Sequence, residues 1–245
     1  MKKMNRIRKF NRFILAFIAA GIIPVLFIGF YSGVLFHGET YRSMEESYRQ
    51  TAVYGVGSLD IMIERYNTVS KFPYSYNPEY PDRLSDGNGL RLARLLKETG
   101  NTTAEELKRR KDINDFLWMA LYSDIYITGV VFVEANGEHY AMNRNGNIFI
   151  DSTVFEKTIN RTKEALPANK MILIPTHEDS YFLGAKNTVF TVGRNYMDIS
   201  FPMGYEEVIG TFYIDVSVKA IDDHFRQLDV YHSGSIVVTD RYDNI

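Results

Sequence analysis

The 245-residue chain has no cysteine, which excludes disulfides, iron–sulfur clusters and thiol catalysis. Tryptophan occurs once, as Trp118, and the five histidines are scattered at positions 37, 139, 177, 224 and 232. No two of them have the i, i+4 spacing of a helical zinc site. Gly-x-Ser-x-Gly is missing, and Gly55-Val-Gly57 lacks the third glycine and the preceding strand of a dinucleotide loop. His177-Glu178-Asp179 reads as a solvated loop cluster rather than a metal or hydrolase element. We therefore read no catalytic residues, no metal site and no cofactor; the chain is not expected to be an enzyme.

Charge is absent from one long stretch. The 24 residues Phe13 to Phe36 carry none, and they follow Lys2, Lys3, Arg6, Arg8, Lys9 and Arg12. A helix of that length reaches about 36 Å, enough for a hydrocarbon core of roughly 30 Å. The run is too long for a leader and ends in Val34-Leu35-Phe36-His37 without a small-x-small site. Six basic residues with no acidic neighbour are expected to keep residues 1–12 in the cytoplasm, with residues 37–245 outside the cell. With those six removed, 22 basic residues face 30 acidic ones, a net of −8. That balance disfavours nucleic acid as a partner. Membrane lipid is the expected partner of residues 13–36.

Proline is missing from Glu39 to Val69, where Tyr41, Met44, Tyr48, Ala52, Val56, Leu59, Met62, Tyr66 and Val69 recur in steps of three or four. This spacing predicts a stalk helix over 37–70. Gly55 and Gly57 each weaken it by about 1 kcal/mol relative to Ala, which permits a bend. Pro73, Pro78 and Pro81 end it. Leu90 to Glu98 is amphipathic, and Thr102-x-x-Glu105 or Thr103-x-x-Glu106 offers a capping box for a helix to about Tyr122. From Tyr126 the period becomes that of strands: 126–134, then Asn136-Gly137 as a hairpin turn, then 138–142. Thr153-x-x-Glu156 is read as the cap of a helix to about Leu166. Strands follow at 171–175, 187–200 and 208–218, then a short helix over 218–228. A last strand from Ile236 has no partner in the remaining sequence, so the chain is expected to be a fragment. The fold class is α+β: a membrane and stalk helix, then an antiparallel sheet flanked by helices.

The run Ile209-Gly-Thr-Phe-Tyr-Ile-Asp-Val-Ser217, the helix after it, and Gly234-Ser-Ile-Val-Val-Thr-Asp-Arg-Tyr-Asp-Asn-Ile245 carry a family likeness. With the basic tail and membrane helix, they resemble the extracytoplasmic double Cache (PAS-like) sensor region of bacterial transmembrane receptors. YesM-like sensor histidine kinases are the nearest type. The resemblance implies a membrane-distal module over 71–229 and the start of a truncated membrane-proximal module over 230–245. A second membrane helix, a HAMP linker and a kinase would follow in the parent protein, so kinase activity does not belong to this chain. Amino-acid-binding members carry Tyr, Arg-x-Trp-Tyr and Asp; only the Asp is matched, as Asp215, which points away from amino acids. A structural strand-end carboxylate accounts for Asp215 equally well.

The candidate ligand pocket combines Tyr140, Asn143 and Arg144 beside the hairpin with Arg194, Tyr196 and Asp198 on one strand and Tyr213 and Asp215 on another. Tyr213 and Asp215 share a face because alternate strand residues point the same way. Aromatic walls with a few Arg, Asn and Asp groups suit a small polar ligand, a sugar or an organic acid. Gly29-x-x-x-Gly33 permits close helix packing and fits a homodimer. The expected function is the ligand-sensing input of a two-component receptor. A membrane-tethered enzyme and an envelope interaction protein are the alternatives.

Overall fold

The computed structural model of the chain describes residues 2–75, 102–159, 170–197 and 208–227. The expected helix at 90–98, the strand from Ile236, the module over 230–245 and Asp198 lie outside the described residues. The chain divides into two compact units, residues 1–56 and 57–245.

In the first unit, helix α1 (Lys2–Ser70) begins at the basic tail and continues through the uncharged run without a break. It is long and apolar enough to cross a membrane. Pro24 lies inside it, a residue that apolar spans tolerate better than soluble helices do. Above Gly29 and Gly33 the helix surface is open.

The second unit opens with the last turns of α1, from Gly57. Gly57 does not interrupt the helix, which ends at Ser70. Helix α2 (Phe72–Ser75) follows at once, and Pro73 is tolerated there because a first-turn N–H has no intrahelical acceptor. Helix α3 (Thr103–Tyr122) starts at the first of the two possible boxes. The Thr102 hydroxyl accepts from Glu105 N at 3.3 Å, and the Glu105 carboxylate accepts from Thr102 N at 3.1 Å.

Strands β1 (Ile127–Glu134) and β2 (His139–Asn143) form the expected hairpin, with Gly137 at φ 89°. Helix α4 (Ser152–Ile159) is capped differently from the sequence expectation. The Asp151 carboxylate, not Thr153, accepts from Thr153 N at 3.0 Å and Val154 N at 3.1 Å. An ionised acceptor one residue before the helix outcompetes a hydroxyl inside it. The expected continuation to Leu166 lies outside the described residues. Strands β3 (Ile172–Glu178), β4 (Thr188–Met197) and β5 (Val208–Ser217) complete the sheet, and α5 (Lys219–Gln227) follows. All pairs are antiparallel in the order β2-β1-β5-β4-β3. Pro175 is accommodated at a register shift of the edge strand β3, where its missing N–H breaks no ladder.

One sheet face is apolar and carries Val130, Phe132, Val192, Phe212, Ile214 and Val216. It packs against Tyr66 and Val69 of α1 and against Ile113, Phe116, Leu117 and Leu121 of α3. The opposite face falls into three rows set by strand register. His139, Val133, Thr211 and Asn195 form the first; Ala141, Val131, Tyr213 and Gly193 the second; Asn143, Gly129, Asp215 and Thr191 the third. The second row is sealed by Phe155 and Ile159 of α4, the third by Tyr181 and Phe182.

Candidate functional site

The third row holds the candidate site. Asp215 is 1% exposed in the middle of a five-stranded sheet, an expensive place for a carboxylate unless it is hydrogen-bonded. Two hydroxyls meet it. Tyr181 donates to Oδ2 at 2.6 Å, and Thr191, its direct partner on β4, donates to Oδ1 at 2.5 Å. The His177 ring lies 3.2 Å from the Thr191 hydroxyl. Burial pushes the Asp215 carboxyl up to about 6, against the pull of the two donors and of His177, which favour its charged form. Burial, and then the nearby Asp215 charge, also raise the Tyr181 phenol well above its ordinary value. The result is an enclosed carboxyl that gains or loses a proton close to neutrality.

Local chemistry delivers Tyr181 to this place. The loop after β3 is closed at its neck by Asp179, whose carboxylate accepts from Asn187 N at 2.7 Å and from its Nδ2 at 2.8 Å. Asp179 N in turn donates to the Asn187 carbonyl at 3.0 Å. Gly184 turns the loop with φ 78°, a backbone region open to glycine. Tyr181 O accepts from Asp151 N at 2.8 Å, which ties the loop to the start of α4. Gly129 supplies the remaining room: a Cβ there would lie 2.5 Å from the Phe182 ring and 3.1 Å from Asp215 Oδ2. The cluster at 177–179 is thus solvated only in part: Glu178 is exposed, while its two neighbours turn inward. Asp179 is 1% exposed, and His177 faces Thr191. The cause is plain: the neck of the packed loop buries the Asp179 carboxylate, which the Asn187 backbone N–H and carboxamide satisfy.

The structure does not bring the residues selected from sequence into one pocket. Tyr213 and Asp215 share a face, as alternation requires, but Tyr213 is 1% exposed under the Phe155 ring at 5.5 Å. Burial pushes its phenol up to about 12. Asn143 stands in the row of Asp215, yet its carboxamide oxygen accepts from Asn145 N at 3.1 Å and Asn147 N at 2.9 Å, closing its own turn.

Tyr140, Arg194 and Tyr196 lie on the opposite face. Tyr196 packs on Phe132 and Tyr74; Tyr140 is buried in the same core, where burial and then the Glu134 charge raise its phenol. Arg194 donates to Ser70 Oγ at 2.8 Å and to Asn67 Oδ1, so it binds the end of α1 to β4. Arg144 gathers the carbonyls of Leu121, Asp124 and Ile127, and its guanidinium lies 5.0 Å from the Tyr122 ring centre. It caps the C-terminal end of α3 rather than facing a cleft.

Sequence reasoning did not select Tyr181, Thr191 or His177. A signal existed for one of them: Thr191 is a hydroxyl on the strand that pairs with the Asp215 strand. Using it requires the β4/β5 register, and that register shifts between Tyr196 and Met197.

No family model matches the chain, and no curated protein matches it. Among solved structures it is similar to two domains from Campylobacter jejuni. One is the ligand-binding domain of chemoreceptor Tlp3 in complex with L-norvaline: 14% identity and TM-score 0.44, covering 74% of this chain and 62% of that one. The other is the sensory domain of chemoreceptor Tlp3 (CcmL): 16% identity and TM-score 0.38, covering 69% of this chain and 66% of that one. The chain therefore spans less than two thirds of the length of either domain.

Proposed function

We propose that the chain is the extracytoplasmic, non-enzymatic ligand-sensing input region of a bacterial membrane receptor, of the Cache type and belonging to a sensor histidine kinase. One observation carries the reading. Strands β4 and β5 present a buried, titratable polar centre on one face, while their other face is clamped to α1, whose earlier residues can cross a membrane. Thr191 and Arg194 stand three residues apart on β4, one facing Asp215 and the other holding Ser70 and Asn67. A ligand that reorganises the Asp215 row shifts β4 and, through Arg194, the end of α1. Signalling requires that the ligand bind one α1 arrangement more tightly than the other.

The tail residues 1–12 are cytoplasmic in this reading, and paired α1 helices meet through Gly29 and Gly33. The ligand is a sugar. Once the Tyr181 loop is displaced, the Asp215 carboxyl, the Thr191 hydroxyl and the His177 imidazole can exchange hydrogen bonds with a polyol, whereas an organic acid needs a cation. Arg144 and Arg194 hold internal partners instead.

The test is a thermal-shift screen of the full chain in detergent micelles against monosaccharides, organic acids and amino acids. A monosaccharide is expected to raise the unfolding temperature by a few degrees, an effect lost in Asp215→Asn. A response limited to organic acids, or one unchanged in Asp215→Asn, overturns the reading.

A further inference from the structure

The first row of the same face leads to a different site. His139, Val133, Thr211 and Asn195 run side by side across four strands. They floor a cavity of about 350 Å³ that Glu134 and Glu156 also line. Thr211 and Asp215 are four residues apart on β5, about 13 Å along the strand. Between them stands Phe155, whose ring touches His139 at 5.8 Å, Tyr213 at 5.5 Å and Tyr181 at 5.1 Å. This cavity and the Asp215 centre are therefore separated by an aromatic wall.

Its electrostatics are one-sided. No lysine or arginine lines it among the described residues. Glu134 is 5% exposed; one carboxylate oxygen accepts from Arg109 and the other from Asn136 Nδ2 at 2.9 Å, so its charge is already answered. Glu156 lies exposed on α4, and no cation within salt-bridge range compensates it among the described residues. The floor is mixed. Val133 and Val208 are apolar, while the Thr211 hydroxyl donates to Asn195 Oδ1 at 3.0 Å.

We infer that this cavity binds a small organic amine, its ammonium on Glu156 and its apolar body over Val133 and Val208. The volume sits at the lower end of the range of small-molecule sites, which suits a ligand of about ten non-hydrogen atoms. A carboxylate ligand is repelled by Glu156 and meets no lysine or arginine among the described lining residues. His139 closes one side, edge-on to Phe155. The inference is independent of the sugar reading, because it uses neither Asp215 nor Tyr181.

Three probes of equal size and different charge test it: phenethylamine, 2-phenylethanol and phenylacetate, followed by saturation-transfer NMR and calorimetry on the full chain in micelles. Phenethylamine is expected to bind, 2-phenylethanol to bind several-fold more weakly, and phenylacetate not at all. Glu156→Gln, an exposed and conservative change, should weaken phenethylamine about five- to tenfold. Asp215→Asn should leave phenethylamine unaffected whether or not a sugar is sensed there. Equal binding of amine and acid, or full retention in Glu156→Gln, overturns the assignment. So does loss of phenethylamine in Asp215→Asn, because it would make the two sites one.

Discussion

At the scale of single residues, Asp215 links structure to pH. Its carboxyl titrates at about 6 in the folded chain, against an ordinary 3.8. The folded state thus holds the proton more tightly than the unfolded state. Stability from this group is complete below about pH 4 and is lost as pH rises through 6. The difference between wild type and Asp215→Asn is expected to change by about 2–3 kcal/mol across that window. Denaturant titrations of the full chain at pH 4–8 measure it; two parallel profiles would contradict the buried environment. Tyr181→Phe removes the 2.6 Å donor that favours the charged form, so the midpoint of that difference should move to higher pH. Asp215 itself was legible in the sequence as an acid inside an apolar strand. Tyr181 was not, because a loop residue reaches its partner through the loop neck, and no spacing rule encodes that path.

Elements were more legible than contacts. The hairpin at Asn136-Gly137, the box at Thr102 and the three later strands follow from local chemistry, namely positive φ, orphan N–H groups and alternation. Which residue meets which follows from register, and a one-residue slip turns every side chain to the other face. That is why Tyr140, Arg194 and Tyr196 appeared to share a pocket with Tyr213 and Asp215 but face the α1 side. Gly129 is the sharpest example. Alternation alone marks it as a weak point in β1, yet its function is to let Phe182 and Asp215 close over the strand. Gly129→Ala should destabilise the chain by about 1–3 kcal/mol through overpacking. It should also perturb the Asp215 titration, whereas a change at the open glycine Gly57 should leave that titration alone. Unchanged melting and an unchanged pH profile in Gly129→Ala would contradict the close approach.

For the molecule as a whole, the lack of cysteine gives a clean assay of topology. Asn11 and Lys186 are both exposed, one in each compact unit. In intact cells a membrane-impermeant maleimide is expected to label Lys186→Cys and not Asn11→Cys. The reverse pattern would place the sheet in the cytoplasm and remove the environmental sensor. Beyond topology, the seal over Asp215 has a quantitative consequence. Tyr181 and Phe182 sit where a ligand would have to sit. If the proposed ligand binds at Asp215, every 1.4 kcal/mol needed to displace that loop makes the observed affinity about tenfold poorer. In the proposed sensor, such a seal would leave trace levels of a stimulus unanswered, and the Asp179–Asn187 hydrogen bonds that close the loop neck would help set that threshold.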